Sequence, residues 1–269
     1  MKLRALIPAA LVTLTLAGCG GGAGSAPDEN APLVVGVSPT PHGQILKYVA
    51  DNLASAKGLK LDVKEFTDYV TPNTSLVDKS LDANYFQHQP YLADFETKNG
   101  AKLQWITAVH LEPLGLYSKK VKSAAELPDG AKIGVPSDAS NEARAFKLLA
   151  DNGVIKLKDG ASTGSPRDVA DNPKHLQFVE LEAAQLPRSL QDTDASIVNG
   201  NYALDAQLDP GKDAILLEKA QGNPNANGLV TRPELANDKR IKALAELLNS
   251  PQVKDYITKT YHGGVLPAF

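Results

Sequence analysis

Leu33-Val34-Val35-Gly36-Val37, followed by Ser38-Pro39-Thr40-Pro41-His42-Gly43 and then by Ile45, Leu46, Val49, Ala50 and Leu53 at helical spacing, reads as strand, loop, helix. The same order returns in an apolar run at 131–135, with Pro136-Ser137-Asp138-Ala139-Ser140 as the loop and a helix over 141–151. Two such units predict an α/β protein of two similar lobes with mostly parallel sheets. In that architecture ligands gather at the carboxyl ends of strands and the starts of helices.

The stretches between and after the two units fit this frame. Residues 59–66 alternate apolar and polar as a strand does, and Thr71-Pro72-Asn73 opens a short helix. A strand is expected at 82–86, a helix from about His88 to Asn99, and strands at 103–109 and 114–118 on either side of Glu112-Pro113. Further strands are expected at 196–199, 214–217 and 229–231, and a helix at 240–248. Crossovers near residues 110–118 and near Asn199 divide the chain into a first lobe over 33–112 and 201–269 and a second over 113–200.

Composition removes several classes of function. The chain has 269 residues, 42% hydrophobic and 22% charged, which is too apolar and evenly mixed for disorder. Lys plus Arg number 28 against 31 Asp plus Glu, and no dense basic run occurs, so a nucleic-acid-binding surface is not expected. One cysteine, Cys19, permits no intramolecular disulfide and anchors no zinc-finger or iron–sulfur site. The five histidines, at 42, 88, 110, 175 and 262, form no i, i+4 pair, and neither H-E-x-x-H nor G-x-S-x-G is present. No metal, cofactor or catalytic residue is therefore expected. The competing enzyme reading is a hydrolase using His88 or His42, and a surface adhesin is a further alternative.

The amino terminus reads as an address. Lys2 and Arg4 precede a largely apolar stretch over 5–16 that is too short to span a bilayer. Leu16-Ala17-Gly18-Cys19 resembles the bacterial lipobox, so residues 1–18 are expected to be a lipoprotein signal peptide and Cys19 the lipidated first residue. Residues 19–32, rich in Gly, Ala, Ser and Pro, are expected to form a flexible tether. Removing residues 1–18 leaves 26 basic and 31 acidic residues, a mildly acidic body held outside the cytoplasm on a lipid anchor.

Candidate binding residues cluster at the predicted strand and helix ends. Arg144 falls in the first helical turn if Ser140 or Asn141 is the cap, where helix N–H groups and a guanidinium together make a carboxylate site. A solvent-facing arginine is the alternative at this point. Asn84-Tyr85-Phe86-Gln87-His88-Gln89-Pro90-Tyr91 concentrates aromatics in a chain that is only 6% aromatic, enough to wall a small apolar pocket, although the same residues also suit a core and a helix start. Asn199 and Asn227 end apolar runs and offer both a donor and an acceptor, as a zwitterion requires, while also suiting ordinary turns.

Longer stretches carry a family resemblance. Asp68-Tyr69-Val70-Thr71-Pro72-Asn73, Asp82-Ala83-Asn84-Tyr85-Phe86-Gln87-His88-Gln89-Pro90-Tyr91-Leu92, Tyr117-Ser118-Lys119-Lys120, Ile155-Lys156-Leu157-Lys158-Asp159-Gly160 and Glu182-Ala183-Ala184-Gln185-Leu186-Pro187-Arg188-Ser189 resemble, in order, the NlpA/MetQ family of methionine-binding lipoproteins. The resemblance implies a type II periplasmic-binding-protein fold that closes on L-methionine and delivers it to the permease and ATPase of an ABC importer. It implies no catalytic role, and a monomer is expected. Carried over by position, Tyr69, Phe86, His88 and Tyr91 correspond to the thioether pocket, Arg144 to the carboxylate clamp, and Asn141, Asn199 and Asn227 to polar partners of the ligand's ends. Pro41-His42-Gly43 matches a family position near the cleft. Asp138-Ala139-Ser140-Asn141-Glu142-Ala143-Arg144 departs from relatives that often carry a Pro-Thr or similar pair before the Asn. A methionine-containing dipeptide or another small amino acid stays open as the ligand.

Overall fold

The computed structural model describes residues 30–161 and 164–269; the expected signal peptide, Cys19 and residues 20–29 of the expected tether lie outside them. The chain opens with β1 (Leu33–Val37), α1 (Gln44–Asn52), β2 (Leu61–Glu65), α2 (Thr71–Val77), β3 (Ala83–His88), α3 (Gln89–Asn99) and β4 (Gln104–Leu111). It then enters a second sheet through β5 (Gly115–Tyr117), β6 (Lys132–Pro136), α4 (Ala139–Asp151), the short pair β7 (Lys156–Leu157) and β8 (Val169–Asp171), β9 (Gln177–Leu181), α5 (Leu186–Ser189) and β10 (Ala195–Val198). After α6 (Gly200–Asp205) and β11 (Ala214–Leu217), the first sheet is completed by β12 (Asn227–Thr231), α7 (Lys239–Leu248), α8 (Pro251–Tyr261) and β13 (Leu266–Pro267). Among the described residues no helix is long and apolar enough to cross a membrane.

Each lobe is built on its own sheet. The first runs β13-β4-β12-β3-β1-β2 and the second β11-β5-β10-β6-β9. Parallel pairing joins β1 to β2 and β3, and β6 to β9 and β10, as βαβ units require. Leu33, Val35 and Val37 of β1 are fully buried, and α1, α7 and α8 close over them with Ile45, Leu46, Ile241, Leu244, Val253 and Ile257. In the second lobe Ile133, Val135 and Ile197 pack with Phe146 and Leu149 of α4. A third apolar cluster, made of Tyr117, Leu186, Val198, Tyr202 and Ala203 with Tyr69 packed against it, fills the seam between the lobes.

The structure departs from the sequence reading in three places. The sheets are mixed rather than mostly parallel, because β12 returns antiparallel between β3 and β4, and β5 pairs antiparallel with both β10 and β11. Ala214–Leu217, expected in the first lobe, is an edge strand of the second sheet, although Leu204 before it packs against the first-lobe core. The cap of α4 is neither Ser140 nor Asn141 but Asp138, whose carboxylate accepts the N–H of Asn141 at 3.0 Å. Arg144 consequently lies in the second turn, clear of the strongest opposing end of the helix dipole.

Gly228 is where the sheet meets the binding region most tightly. A Cβ there would overlap the main-chain oxygen of Thr107 and the ring of Trp105, so β12 and β4 approach only because that position has no side chain. Gly228→Ala is expected to destabilise the protein by about 1–3 kcal/mol through overpacking and to displace the neighbouring Asn227. Denaturant unfolding checks this, and an unchanged midpoint would contradict it.

Candidate functional site

All eight residues singled out in the sequence line one cavity of about 320 Å³ between the lobes. They reach it from separate elements. Phe86 and His88 come from the fully buried strand β3, Tyr91 from the first turn of α3, Tyr69 from the loop before α2, Asn141 and Arg144 from α4, Asn199 from the end of β10, and Asn227 from the start of β12. In register, Asn227 stands opposite both His88 and His110, which sets three polar side chains in a row across adjacent strands.

One end of the cavity is aromatic. The ring centroids of Tyr69 and Phe86 lie 6.0 Å apart, those of Tyr69 and Tyr91 5.7 Å, and those of Phe86 and Tyr91 5.9 Å, with tilted or edge-on planes. Such packing is favourable in itself and leaves π-faces toward an apolar guest. The polar tips are tied back: the Tyr91 hydroxyl donates to the main-chain oxygen of Tyr69 at 2.9 Å, and that of Tyr69 to Asn201 Oδ1 at 2.5 Å. His88 serves twice. Its Nδ1 accepts the N–H of Tyr91 at 3.2 Å and so caps α3, which leaves Nε2–H to donate to Asn141 Oδ1 at 3.1 Å.

The other end is polar. Arg144 donates from Nε to Glu218 Oε1 at 2.8 Å, and from Nη2 to Glu218 Oε2 at 2.5 Å and to the main-chain oxygen of Glu112 at 2.8 Å. Nη1 takes no part in these three bonds. Burial pushes the Glu218 carboxyl up, but the hydrogen bonds and charge of Arg144 outweigh it and hold the group below the usual range. Asn141 is placed differently from the expectation of a direct ligand partner: its Oδ1 accepts from His88 and Asn199, and its Nδ2 donates to Asp138 at 3.0 Å. With both lone pairs in use it orients its neighbours. Asn199 Oδ1 and Asn201 Nδ2, by contrast, are buried without a hydrogen-bond partner, one an acceptor and the other a donor. Unpaired buried polar atoms are costly, and two of them facing one cavity mark a place for a polar guest.

Gln87, Glu112, Gly200 and Asn201 also line the cavity and were not singled out in the sequence. Gln87 belongs to a buried amide network with Asn73 and Asn84, a D-A-N-x-F-Q pattern whose alternation hides it on the strand's inner face. Asn201 lies two residues after Asn199 and could have been found by following the turn into α6. Glu112 read only as a separator between strands.

Behind Glu112 sit two buried imidazoles. His110 Nε2 is 2.6 Å and His42 Nε2 3.3 Å from Glu112 Oε1, and the Tyr85 hydroxyl bonds His110 Nδ1. The ligand atoms of His42, His110 and Glu112 lie within 4.8 Å of one another, the composition of a two-histidine, one-carboxylate metal site. The donor spacing is uneven for one: ligands on a tetrahedral zinc stand roughly 3.3 Å apart, as His42 and Glu112 do, but the His110–Glu112 pair at 2.6 Å is at hydrogen-bond distance. Tyr85, His110 and Glu112 form a hydrogen-bonded chain, and His42 packs beside it without a hydrogen-bond partner.

Burial lowers all three inner histidines, His42 and His88 to about 4 and His110 to about 3, with the charge of Arg144 adding to the effect at His88. Unfolded, each titrates near 6.5, so between these values the unfolded chain binds more protons and stability falls as pH drops. Glu112, raised by burial, acts with the opposite sign, one group against three. Ligand-free protein is expected to lose roughly 2 kcal/mol per histidine between pH 7 and pH 5. Urea titrations at the two values test this; equal midpoints would show that the imidazoles are not held neutral.

Comparison with known proteins agrees with this architecture. Residues 33–269 match the family model described as NlpA lipoprotein. Over 257 residues the chain is 40% identical to the methionine-binding lipoprotein MetQ of Bacillus subtilis, covering 94% of this chain and 93% of that one. A nutrient-binding protein of Burkholderia cenocepacia, solved bound to methionine, superposes with a TM-score of 0.85 at 44% identity over 88% of this chain and 100% of its own. An ABC-transporter periplasmic substrate-binding protein of Coxiella burnetii superposes at 0.84 with 43% identity over 88% of this chain and 100% of that one. The chain belongs to the NlpA lipoprotein family.

Proposed function

We propose that this protein is a lipid-anchored, extracytoplasmic solute-binding receptor that captures methionine in the inter-lobe cavity and passes it to the permease and ATPase of an ABC importer. The observation that carries the reading is the pairing of ends within one cavity. An aromatic cage of Tyr69, Phe86 and Tyr91 faces a guanidinium and two unpartnered amide atoms, across a volume of about 320 Å³. An unbranched thioether gains from sulfur–ring contacts in such a cage. Cys19 carries the anchor in this reading, and the receptor works as a monomer.

The roles follow from the geometry. Arg144 holds the ligand's carboxylate through Nη1 while Glu218 fixes the guanidinium plane. Asn199 accepts from the ligand, Asn201 donates to it, and Asn227 closes the β12 side. A hydrolase using His88 or His42 would need a nucleophile beside the imidazole, and the cavity lining contains no Ser, Thr or Cys.

The energetic scale is adequate. Burying the side chain contributes about 1.5–3 kcal/mol and each charge-assisted hydrogen bond about 1.5–3 more, against the roughly 8 kcal/mol net of a micromolar complex. Calorimetric titration of L-methionine into refolded, ligand-stripped protein is expected to give one-to-one binding at micromolar affinity or tighter, with no product. Arg144→Ala is expected to weaken it by about 100-fold or more, because Glu218 also loses its partner. Wild-type affinity in that variant would remove the clamp. Phe86→Ala is expected to cost about tenfold and to erase most of the preference for methionine over norleucine, since sulfur–ring contacts are worth only ~0.3–1.5 kcal/mol.

A further inference from the structure

We propose that Glu112 is the residue that recognises the ligand's α-ammonium group, with His110 as a positioning residue that holds its carboxylate at the cavity. The inference rests on the amino-acid reading above and extends it to the end of the ligand for which that reading names no charged partner.

The first support is the charge inventory. Among the side chains lining the cavity, the carboxylate is Glu112 and the permanent cation is Arg144. Arg144 is neutralised from behind by Glu218, outside the lining, whereas Glu112 pairs with no Lys or Arg among the described residues. Its ion-pair partners are the imidazoles of His42 and His110. Both are buried, and burial favours their neutral forms. The charge of Arg144 and the main-chain N–H of Asn201 offset part of the burial of this carboxylate, only 3% exposed, but no cation pairs with it directly, and a cation that did would remove the remaining cost. The ammonium of an amino acid is such a cation.

The second support is position. Nη2 of Arg144 bonds the main-chain oxygen of Glu112 at 2.8 Å, so the proposed carboxylate and ammonium sites are neighbours. The two charged ends of an α-amino acid diverge from a single carbon and demand that adjacency. Gly200 keeps the approach clear: a Cβ there would stand 2.5 Å from Glu112 Cβ and 3.1 Å from Oε2. The buried, unpartnered Oδ1 of Asn199 supplies an independent second acceptor on the same cavity, and an ammonium has three N–H bonds to place.

The third support is the chain behind the carboxylate. The Tyr85 hydroxyl donates to His110 Nδ1, which leaves Nε2–H to donate to Glu112 Oε1 at 2.6 Å. That bond from His110 holds Oε1, with His42 Nε2 standing 3.3 Å from the same oxygen and not hydrogen-bonded to it, and leaves Oε2 on the Gly200 side.

The test compares L-methionine with 4-(methylthio)butanoate, the same molecule without its amino group, by calorimetry on wild type, Glu112→Gln and Glu112→Asp. Wild type is expected to prefer methionine by roughly 100-fold or more, as sites built to bind a polar group reject analogues lacking it. In Glu112→Gln methionine binding is expected to fall by about 100-fold while the analogue binds as before, which also shows that the variant is folded. Glu112→Asp, which keeps the charge, should restore part of the preference. Equal weakening of both ligands in Glu112→Gln, or undiminished methionine affinity, would overturn the assignment and leave the receptor reading standing. Wild-type protein binding both ligands equally would overturn it without any variant. If wild type binds neither ligand, the amino-acid reading itself falls, and this assignment falls with it.

Discussion

A buried guanidinium at the joint between the lobes is the constraint on which the rest of the molecule turns. Arg144 is only 8% exposed, and a cation at that depth is tolerated only when its donors are met. The two groups that meet them come from segments where the chain leaves one sheet for the other: Glu112 just after β4 and Glu218 just after β11. Those crossings run side by side. Glu218 N–H donates to the Leu114 oxygen at 2.9 Å, and Leu114 N–H returns to the Glu218 carboxylate at 3.1 Å. One side chain on α4 therefore fastens two of the connections, and any group that draws on Arg144 also acts on the joint.

This explains which parts of the site could be read in the sequence. Phe86, His88 and Tyr91 lie within six residues, across one strand end and one helix start, so local composition was enough to suggest a pocket. Arg144 was found through its place near a helix start, and its second-turn position follows from a cap, Asp138, that sequence spacing alone does not choose over Ser140 or Asn141. Glu112 stayed hidden because its meaning is tertiary. Nothing near Glu112-Pro113 announces that His42, some seventy residues earlier, and Gly200, almost ninety later, will close around it. The strand-loop-helix units located the two sheets for the same reason that made the first site residues visible: βαβ order is local. The placement of β11 was not local. Its four residues pair antiparallel with β5 across nearly a hundred positions, and edge pairing of that kind leaves no mark on the strand's own pattern.

The two ends of the cavity differ in how they are fixed. The aromatic cage is held by packing within the first lobe, together with the seam cluster around Tyr202, so its shape depends little on charge. The polar end is held by hydrogen bonds that use up most of the local donors and acceptors and leave a few unused. In the proposed receptor, selectivity for a side chain and recognition of a zwitterion are thus separable properties of one pocket. The first is sensitive to ring position and the second to a handful of polar atoms.

Closure of the lobes follows from the same economy. His88 to Asn141, Tyr69 to Asn201 and the Tyr202 hydroxyl to the Thr67 oxygen at 3.0 Å are the bonds that span the cavity walls. Each is a single hydrogen bond with a net worth of about 1 kcal/mol, and the unpartnered Asn199 and Asn201 atoms subtract from their sum. A guest that satisfies the orphaned atoms and engages both lobes removes the penalty and adds its own contacts in one step. A ligand shifts an equilibrium only by its differential affinity for the two states, so in the proposed receptor the unsatisfied amides would make closure depend on what is bound.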